Sequence, residues 1–139
     1  MNILPLTTIT TALSIAQLGG TPILNGAPRN LTVEAQFTYG SSGTSVDAYL
    51  QTSFDGGLTF LDVCNFHFTT SSANALFNLS AATPVTTQRT PTTNSISSNT
   101  SVDGALGPRF QVQVKSSGTY AGGTTLRIDL TSIDIPAFP

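Results

Sequence analysis

Residues 31–39 read LTVEAQFTY, and this stretch decides the fold class. Apolar and polar side chains alternate strictly along it, with the apolar set being Leu31, Val33, Ala35, Phe37 and Tyr39. Successive side chains of a strand point to opposite faces of a sheet, so this pattern predicts a strand with one buried and one solvated face. Strands of that kind are typical of antiparallel sheets.

The same alternation returns in other segments, which are separated by turns rich in glycine and serine. The further predicted strands are 46–50, 58–68 with a bulge near Asp62, 75–79, 110–115, and 126–130 extended through Ile133 and Ile135. No segment has a convincing helical period. We therefore predict an all-β fold, an antiparallel β-sandwich of jelly-roll type with about eight strands. The predicted core residues are Phe37, Leu50, Phe60, Val112, Leu126 and Ile128.

The domain organisation is predicted to be simple. Residues 1–28 are interpreted as an N-terminal arm or a first strand, and residues 29–139 as one β-sandwich domain. Within it, residues 81–108 are predicted to form a long polar loop, which in a compact domain is usually either functional or poorly ordered when alone. No Lys or Arg precedes Arg29, which disfavours a secretory leader, so we expect the chain to be made in the cytoplasm.

The composition excludes several classes of function. Charged residues make up 9% of the 139 residues, the net charge is −2, and Lys115 is the one lysine. Nucleic-acid grooves and basic membrane-binding faces both need clustered Lys and Arg, so neither partner is expected. A single cysteine, Cys64, rules out an intrachain disulfide framework and a cysteine-based zinc site.

The candidates for catalysis are few. His67 is the one histidine and lies between two phenylalanines, which favours a structural imidazole over a general base. Cys64 has no nucleophile motif around it and is interpreted as a small buried hydrophobe. Asp47 and Asp62 could face each other across a hairpin, as the paired carboxylates of a glycosidase do, although a solvated sheet face explains them more simply. We predict no enzyme activity, no catalytic residues, no cofactor and no metal.

One motif stands out. Its structural turn residues are Ser53, Asp55, Gly56, Gly57, Thr59 and Phe60. The segment 53–60, SFDGGLTF, resembles the Asp-box of sialidases and related β-propellers, with Phe60 at the position where Trp is commoner. The aspartate of such a turn can accept hydrogen bonds from turn amides, and the glycines supply positive φ. The resemblance implies a hairpin with the aromatic ring packed beneath it, and no sialidase activity.

A broader resemblance covers residues 31–130. The segments 46–66, VDAYLQTSFDGGLTFLDVCNF, and 106–130, LGPRFQVQVKSSGTYAGGTTLRIDL, are similar to structural proteins of tailed-bacteriophage virions, with a DGG turn between strands and a closing hairpin. The resemblance implies a capsid decoration (cement) protein that binds across capsid-subunit junctions. It also implies the major capsid protein as partner, a homo-oligomeric trimer or dimer, and assembly into the virion in the host bacterial cytoplasm. Residues 1–28 and 81–108 are the expected contact segments.

Other functions stay open from the sequence. A neck or tail component is compatible with the same resemblance. A carbohydrate-binding or receptor-binding module is a second alternative, although the chain has no Trp and Tyr39, Tyr49 and Tyr120 are not spaced as an aromatic platform. A small hydrolase fragment that uses Asp47, Asp62 or His67 is a third. The low charge alone is also explained by the host's composition or by a secreted, wall-associated protein.

Overall fold

A computed structural model of the chain describes residues 1–132, and this range contains strands and no helix. The strands are β1 (Asn2–Thr8), β2 (Ala16–Leu18), β3 (Asn30–Thr38), β4 (Ser41–Ser42), β5 (Ser45–Ser53), β6 (Leu61–Phe68), β7 (Ala73–Ser80), β8 (Thr100–Ser101), β9 (Arg109–Ser117), β10 (Tyr120–Ala121) and β11 (Thr125–Thr131). The predicted extension of the last strand through Ile133 and Ile135 lies outside the described residues, as does the end of the predicted domain.

The strands form two main antiparallel sheets and one short ribbon. The four-stranded sheet has the order β1-β11-β3-β7, the five-stranded sheet has the order β2-β9-β5-β6-β8, and β4 pairs with β10. The chain passes from one main sheet to the other between β1 and β2, β2 and β3, β3 and β5, β6 and β7, β7 and β8, and β9 and β11. This interleaved order is that of a jelly roll, so the predicted fold class is confirmed.

The core lies between the two sheets and is rich in stacked aromatic rings. The rings of Phe37 on β3 and Phe68 on β6 stack with their centroids 4.8 Å apart. The ring centroids of Phe66 and Phe77 are 4.9 Å apart, and these two rings are tilted relative to each other. Five of the six predicted core residues are buried: Phe37, Leu50, Val112, Leu126 and Ile128. The prediction for Phe60 is wrong, because this residue precedes the start of β6 and is partly exposed outside the core cluster.

The predicted bulge near Asp62 is confirmed. Leu50 pairs with Cys64 whereas the next residue, Gln51, pairs with Asp62, so Val63 is the extra residue of β6. A bulge of this kind changes which side chains of a strand reach each face. It allows Val63 and Cys64 both to be fully buried while the Asp62 side chain reaches the outer face of the five-stranded sheet.

One expectation about chain connections is corrected. The closing hairpin expected within residues 106–130 is wrong, because β9 belongs to the five-stranded sheet and β11 to the four-stranded sheet. The connection between them carries β10, which pairs with β4 in the connection from β3 to β5. Residues 1–28 contribute β1 and β2, one strand to each main sheet.

Candidate binding surface at the Asp-box end

The Asp-box turn is closed by its own side chains. Ser53 Oγ donates to Asp55 Oδ1 at 2.8 Å and accepts from the Gly57 amide at 2.9 Å. The Thr59 amide donates to Asp55 Oδ1 at 2.9 Å, and the Thr59 hydroxyl donates to Oδ2. Gly56 and Gly57 have φ values of 77° and 97°, which side chains rarely adopt. Hydrogen bonds from Thr59 and Ser53 lower the pKa of Asp55 to about 2.

This turn presents two apolar side chains to solvent. Phe54 is 58% exposed and Leu58 is 87% exposed, although both are large hydrophobic residues. The hydrogen-bonding residues of the motif occupy the inside of the turn, so the residues between them project outward. Phe54 and Leu58 together form an exposed apolar patch at this turn, and such patches are candidates for contact with a partner.

Arg109 connects the turn to the N-terminal segment. Its Nη1 donates to the Gly56 carbonyl oxygen at 2.8 Å, and its Nη2 donates to Thr21 Oγ1 at 3.3 Å. The backbone of Arg109 also forms an isolated bridge with Ile23, whose side chain is exposed. The segment around Thr21 therefore lies beside the Asp-box turn at the same end of the sandwich.

The long loop completes the surface. A groove of about 270 Å³ is lined by Phe54, Leu61, Val85, Arg89, Pro91 and Ala105, and we call it the Asp-box groove. Four of these residues come from the segment 81–108, and the other two flank the turn of the Asp-box hairpin. Nη1 of Arg89 is buried and has no hydrogen-bond partner within the described residues. The groove is thus lined mostly by apolar side chains, and Arg89 is the one charged residue among the described residues that line it.

Asp62 fixes the loop against the five-stranded sheet. Its side chain accepts hydrogen bonds from three successive backbone amides: Oδ1 from Asn94 at 2.9 Å, and Oδ2 from Ser95 at 2.8 Å and Ile96 at 3.1 Å. Gln51 Nε2 adds a fourth bond at 2.9 Å, and Asp62 is only 4% exposed. The loop is therefore ordered without a partner, through bonds that a carboxylate makes unusually strong.

The structure shows the partners of each residue that was considered for catalysis. Asp47 lies opposite His67 and Asp62 opposite Gln51, so the two carboxylates that were considered as a pair do not face each other. Asp47 Oδ1 is 2.8 Å from His67 Nδ1, an ion pair across β5 and β6 when the imidazole is protonated. Cys64 is fully buried as predicted, and burial raises the pKa of its thiol well above the usual range.

The three tyrosines do not form an exposed platform. Tyr49 and Tyr120 are buried, and the Tyr39 ring packs edge-on against Tyr120 with its hydroxyl donating to the Ser42 carbonyl. Within residues 1–132 no cluster of three or more His, Cys, Asp or Glu side chains is arranged to hold a metal ion. A search of the same residues for helices long and apolar enough to cross a membrane finds none.

Comparison with known proteins adds no relative. No protein-family model matches the chain, and no curated protein or solved structure is significantly similar to it. Inference about its function therefore depends on the residues of the Asp-box end.

Sequence reasoning identified the turn but missed the surface that the turn builds. Phe54 and Leu58 occupy the variable positions of the motif, and apolar residues at such positions were the available signal. Arg89 gave no signal, because its role depends on the loop folding back over the turn.

Proposed function

We propose that this protein is a non-enzymatic structural protein of a phage virion, and specifically a capsid decoration protein. It binds across junctions between capsid subunits through the Asp-box groove and the exposed side chains beside it. The observation that carries this proposal is the groove itself, in which the aromatic ring of Phe54 and the guanidinium of Arg89 line one ordered apolar surface. An apolar surface that contains an aromatic ring and an arginine fits a protein partner better than a small polar substrate.

The fold supports the proposal by analogy. Jelly rolls are common in viral capsid proteins, and they also occur in lectins and cupins. A fold hosts many functions, so the choice among them rests on the site. A sugar-binding site would need polar groups that converge on exposed aromatic rings, whereas Tyr49 and Tyr120 are buried. We therefore favour the structural role.

The composition of the groove matches what protein interfaces use. Aromatic residues and Arg are enriched at the centres of interfaces, and Lys is depleted. The chain has few charges to desolvate, since its surface polarity comes mostly from Thr, Ser, Asn and Gln. Ligands that bind one state of an equilibrium stabilise that state, so a protein bound across subunit junctions opposes capsid rupture.

The contribution of Phe54 can be sized from its exposure. It is 58% exposed, so complete burial in a partner would remove the remaining part of an aromatic surface of roughly 200 Å². At about 25 cal/mol per Å², this burial contributes roughly 3 kcal/mol. Replacing Phe54 with serine should therefore weaken capsid binding by about a hundredfold.

The test is co-sedimentation of the purified chain with capsids assembled without it. Phe54→Ser should lose binding, and Leu6→Ser is the matched control because Leu6 is similarly exposed, at 67%, but lies on β1 and does not line the groove. Equal binding by both variants would contradict the groove as the contact surface.

Copy number in purified particles tests the location. We expect a ratio to the major capsid protein near one, or a simple fraction such as one third, by quantitative mass spectrometry. A very small ratio would instead place the chain in the neck or tail. Its absence from clean particles would overturn the virion proposal.

A further inference from the structure

The edges of the two main sheets differ in how well they are protected against pairing. Exposed edge strands are normally short, bulged, or interrupted by Pro or charged residues. In the five-stranded sheet the edge strands β2 and β8 have three and two residues. In the four-stranded sheet, β1 contains Pro5 and has two register irregularities against β11.

The edge strand β7 has none of these protections. It has eight residues, ANALFNLS, without Pro or a charged side chain, and it pairs with β3 from Asn30↔Ser80 to Phe37↔Ala73 without an irregularity. In the described part of the chain, β7 has no strand on its other side. It is thus a long, regular and uncharged edge, which is a template for pairing with another strand.

The contacts at the end of β7 show which backbone groups face the free edge. The Ala81 amide donates to the Arg29 carbonyl. Every second residue before Ala81 therefore also has its backbone N–H and C=O groups directed toward β3. Ser80 points the other way: its amide donates to Asp103 Oδ1 at 2.9 Å, and its carbonyl accepts from the Gly104 amide at 2.7 Å. The turn at Asp103 and Gly104 therefore closes this end of the edge.

Three residues remain with their backbone groups toward the free edge. Alternate residues of an edge strand share one direction, so Asn74, Leu76 and Asn78 present their N–H and C=O groups on the same side as Ser80. An extended strand that pairs with β7 must bond to these three residues. The length of the edge thus specifies its occupant as a short uncharged strand.

We propose that this occupant is β7 of a second copy of the chain, paired antiparallel about a two-fold axis at Leu76. Leu76 then lies opposite Leu76 of the second copy, and Asn74 lies opposite its Asn78. Each of these pairs exchanges two backbone N–H···O=C bonds, as directly opposed residues do in antiparallel sheets. If the axis moves one residue toward Ser80, Asn74 lies opposite Ser80 of the second copy, whose amide is already bonded to Asp103. If the axis moves one residue the other way, Asn78 lies opposite a residue outside the strand.

The side chains of β7 are complementary to themselves in this register. On the outer face Leu76, which is 56% exposed, packs against its symmetry mate, and the amides of Asn74 and Asn78 face each other. On the inner face the small Ala75 lies opposite the large Phe77. No like charges oppose each other, because β7 carries none. The product is a two-fold dimer with a continuous eight-stranded sheet, β1-β11-β3-β7 followed by the same strands in reverse.

This proposal is independent of capsid binding, because none of the residues of β7 lines the Asp-box groove. It is tested by sedimentation equilibrium of the full chain over a wide concentration range. The wild type should show a monomer–dimer equilibrium. Leu76→Lys, which places two like charges at the axis, should weaken dimerisation by roughly a hundredfold. Thr38→Lys is the matched control, since Thr38 is an exposed residue at the end of β3 and not on an edge strand.

A second variant and a second measurement guard against misfolding. Leu76→Pro removes an amide that faces the free edge and leaves the β3 ladder intact, so it should fold and stay monomeric. Hydrogen exchange of the Asn74, Leu76 and Asn78 amides should slow as the wild-type concentration rises, whereas that of Ala75 and Phe77 should not change. A wild type that is monomeric at every concentration would overturn the proposal, as would an oligomer that survives both Leu76 substitutions.

Discussion

Replacing Asp62 with asparagine should destabilise the protein and release the loop that it holds. Each carboxylate oxygen accepts two hydrogen bonds: Oδ1 from Gln51 and Asn94, and Oδ2 from Ser95 and Ile96. An asparagine has one acceptor oxygen and one NH₂ group. Whichever way its amide is turned, two donors then face another donor, so an isosteric substitution cannot restore the network.

The size of the effect follows from those two lost bonds. A hydrogen bond to a charged group contributes about 1.5–3 kcal/mol, and the donors left behind are partly buried, so the loss should be about 3 kcal/mol. Domains of this size are stable by about 5–15 kcal/mol, so Asp62→Asn should fold but unfold at clearly lower denaturant. Asp103→Asn is the matched control, because Asp103 is exposed and accepts one bond from the Ser80 amide, and it should cost less than about 1 kcal/mol.

The assay is urea unfolding followed by far-ultraviolet circular dichroism, since the chain has no Trp. Hydrogen exchange of the Asn94, Ser95 and Ile96 amides reports the loop directly, and these amides should exchange much faster in Asp62→Asn. Two results together would refute the reasoning: an unfolding free energy no lower than that of Asp103→Asn, and exchange of the three amides at wild-type rates.

Three further predictions follow from local geometry. The pKa of Asp55 is about 2, below its unfolded value, so its contribution to stability is present above about pH 4 and is lost as the pH falls through 2. The NMR shift of the Thr59 amide, which donates to this carboxylate, should change with a midpoint near pH 2 and not near pH 4. Cys64 is fully buried with a raised thiol pKa, so it should resist alkylation in the native protein and react only on unfolding; rapid native labelling would contradict this. Gly40→Ala should destabilise by roughly 1–3 kcal/mol in urea unfolding, because the new Cβ would lie 2.3–2.4 Å from the carbonyl oxygens of Gly122 and Ala121. Gly20→Ala, whose Cβ meets nothing within 4 Å, should not destabilise, and equal stabilities of the two variants would contradict the packing.

The sequence predicts the strands better than their arrangement. Alternation of apolar residues reports burial of one face, and the face formed by Leu31, Val33, Ala35 and Phe37 is buried as the pattern predicts. Alternation does not report which sheet a strand joins. Two alternating segments joined by a glycine-rich turn can be a hairpin within one sheet or a crossover between two sheets. The connection between β9 and β11 is a crossover. Pairing between β4 and β10, two residues each, was too short to give a signal.

The parts of the candidate site that depend on local contacts could also be predicted from the sequence, whereas those that depend on distant contacts could not. The Asp-box turn could be predicted because its hydrogen bonds join residues within the segment 53–59. The groove could not, because it brings Val85 and Arg89 against Phe54 from more than thirty positions along the chain. Asp62 was considered as half of a catalytic pair, since nothing in the sequence shows that a loop thirty residues away donates its amides to that carboxylate.

The use of these carboxylates explains how a chain with so few charges can hold a preformed binding surface. Asp55 closes the turn that carries Phe54, and Asp62 holds the loop that carries Pro91. Loops that order only on binding weaken the complex, because their conformational entropy is lost at that moment. Both segments are already bonded in the free protein, so a partner that binds in the groove would not have to order them. Asp62, which the sequence offered as half of a catalytic pair, is therefore an anchor for three backbone amides of the loop.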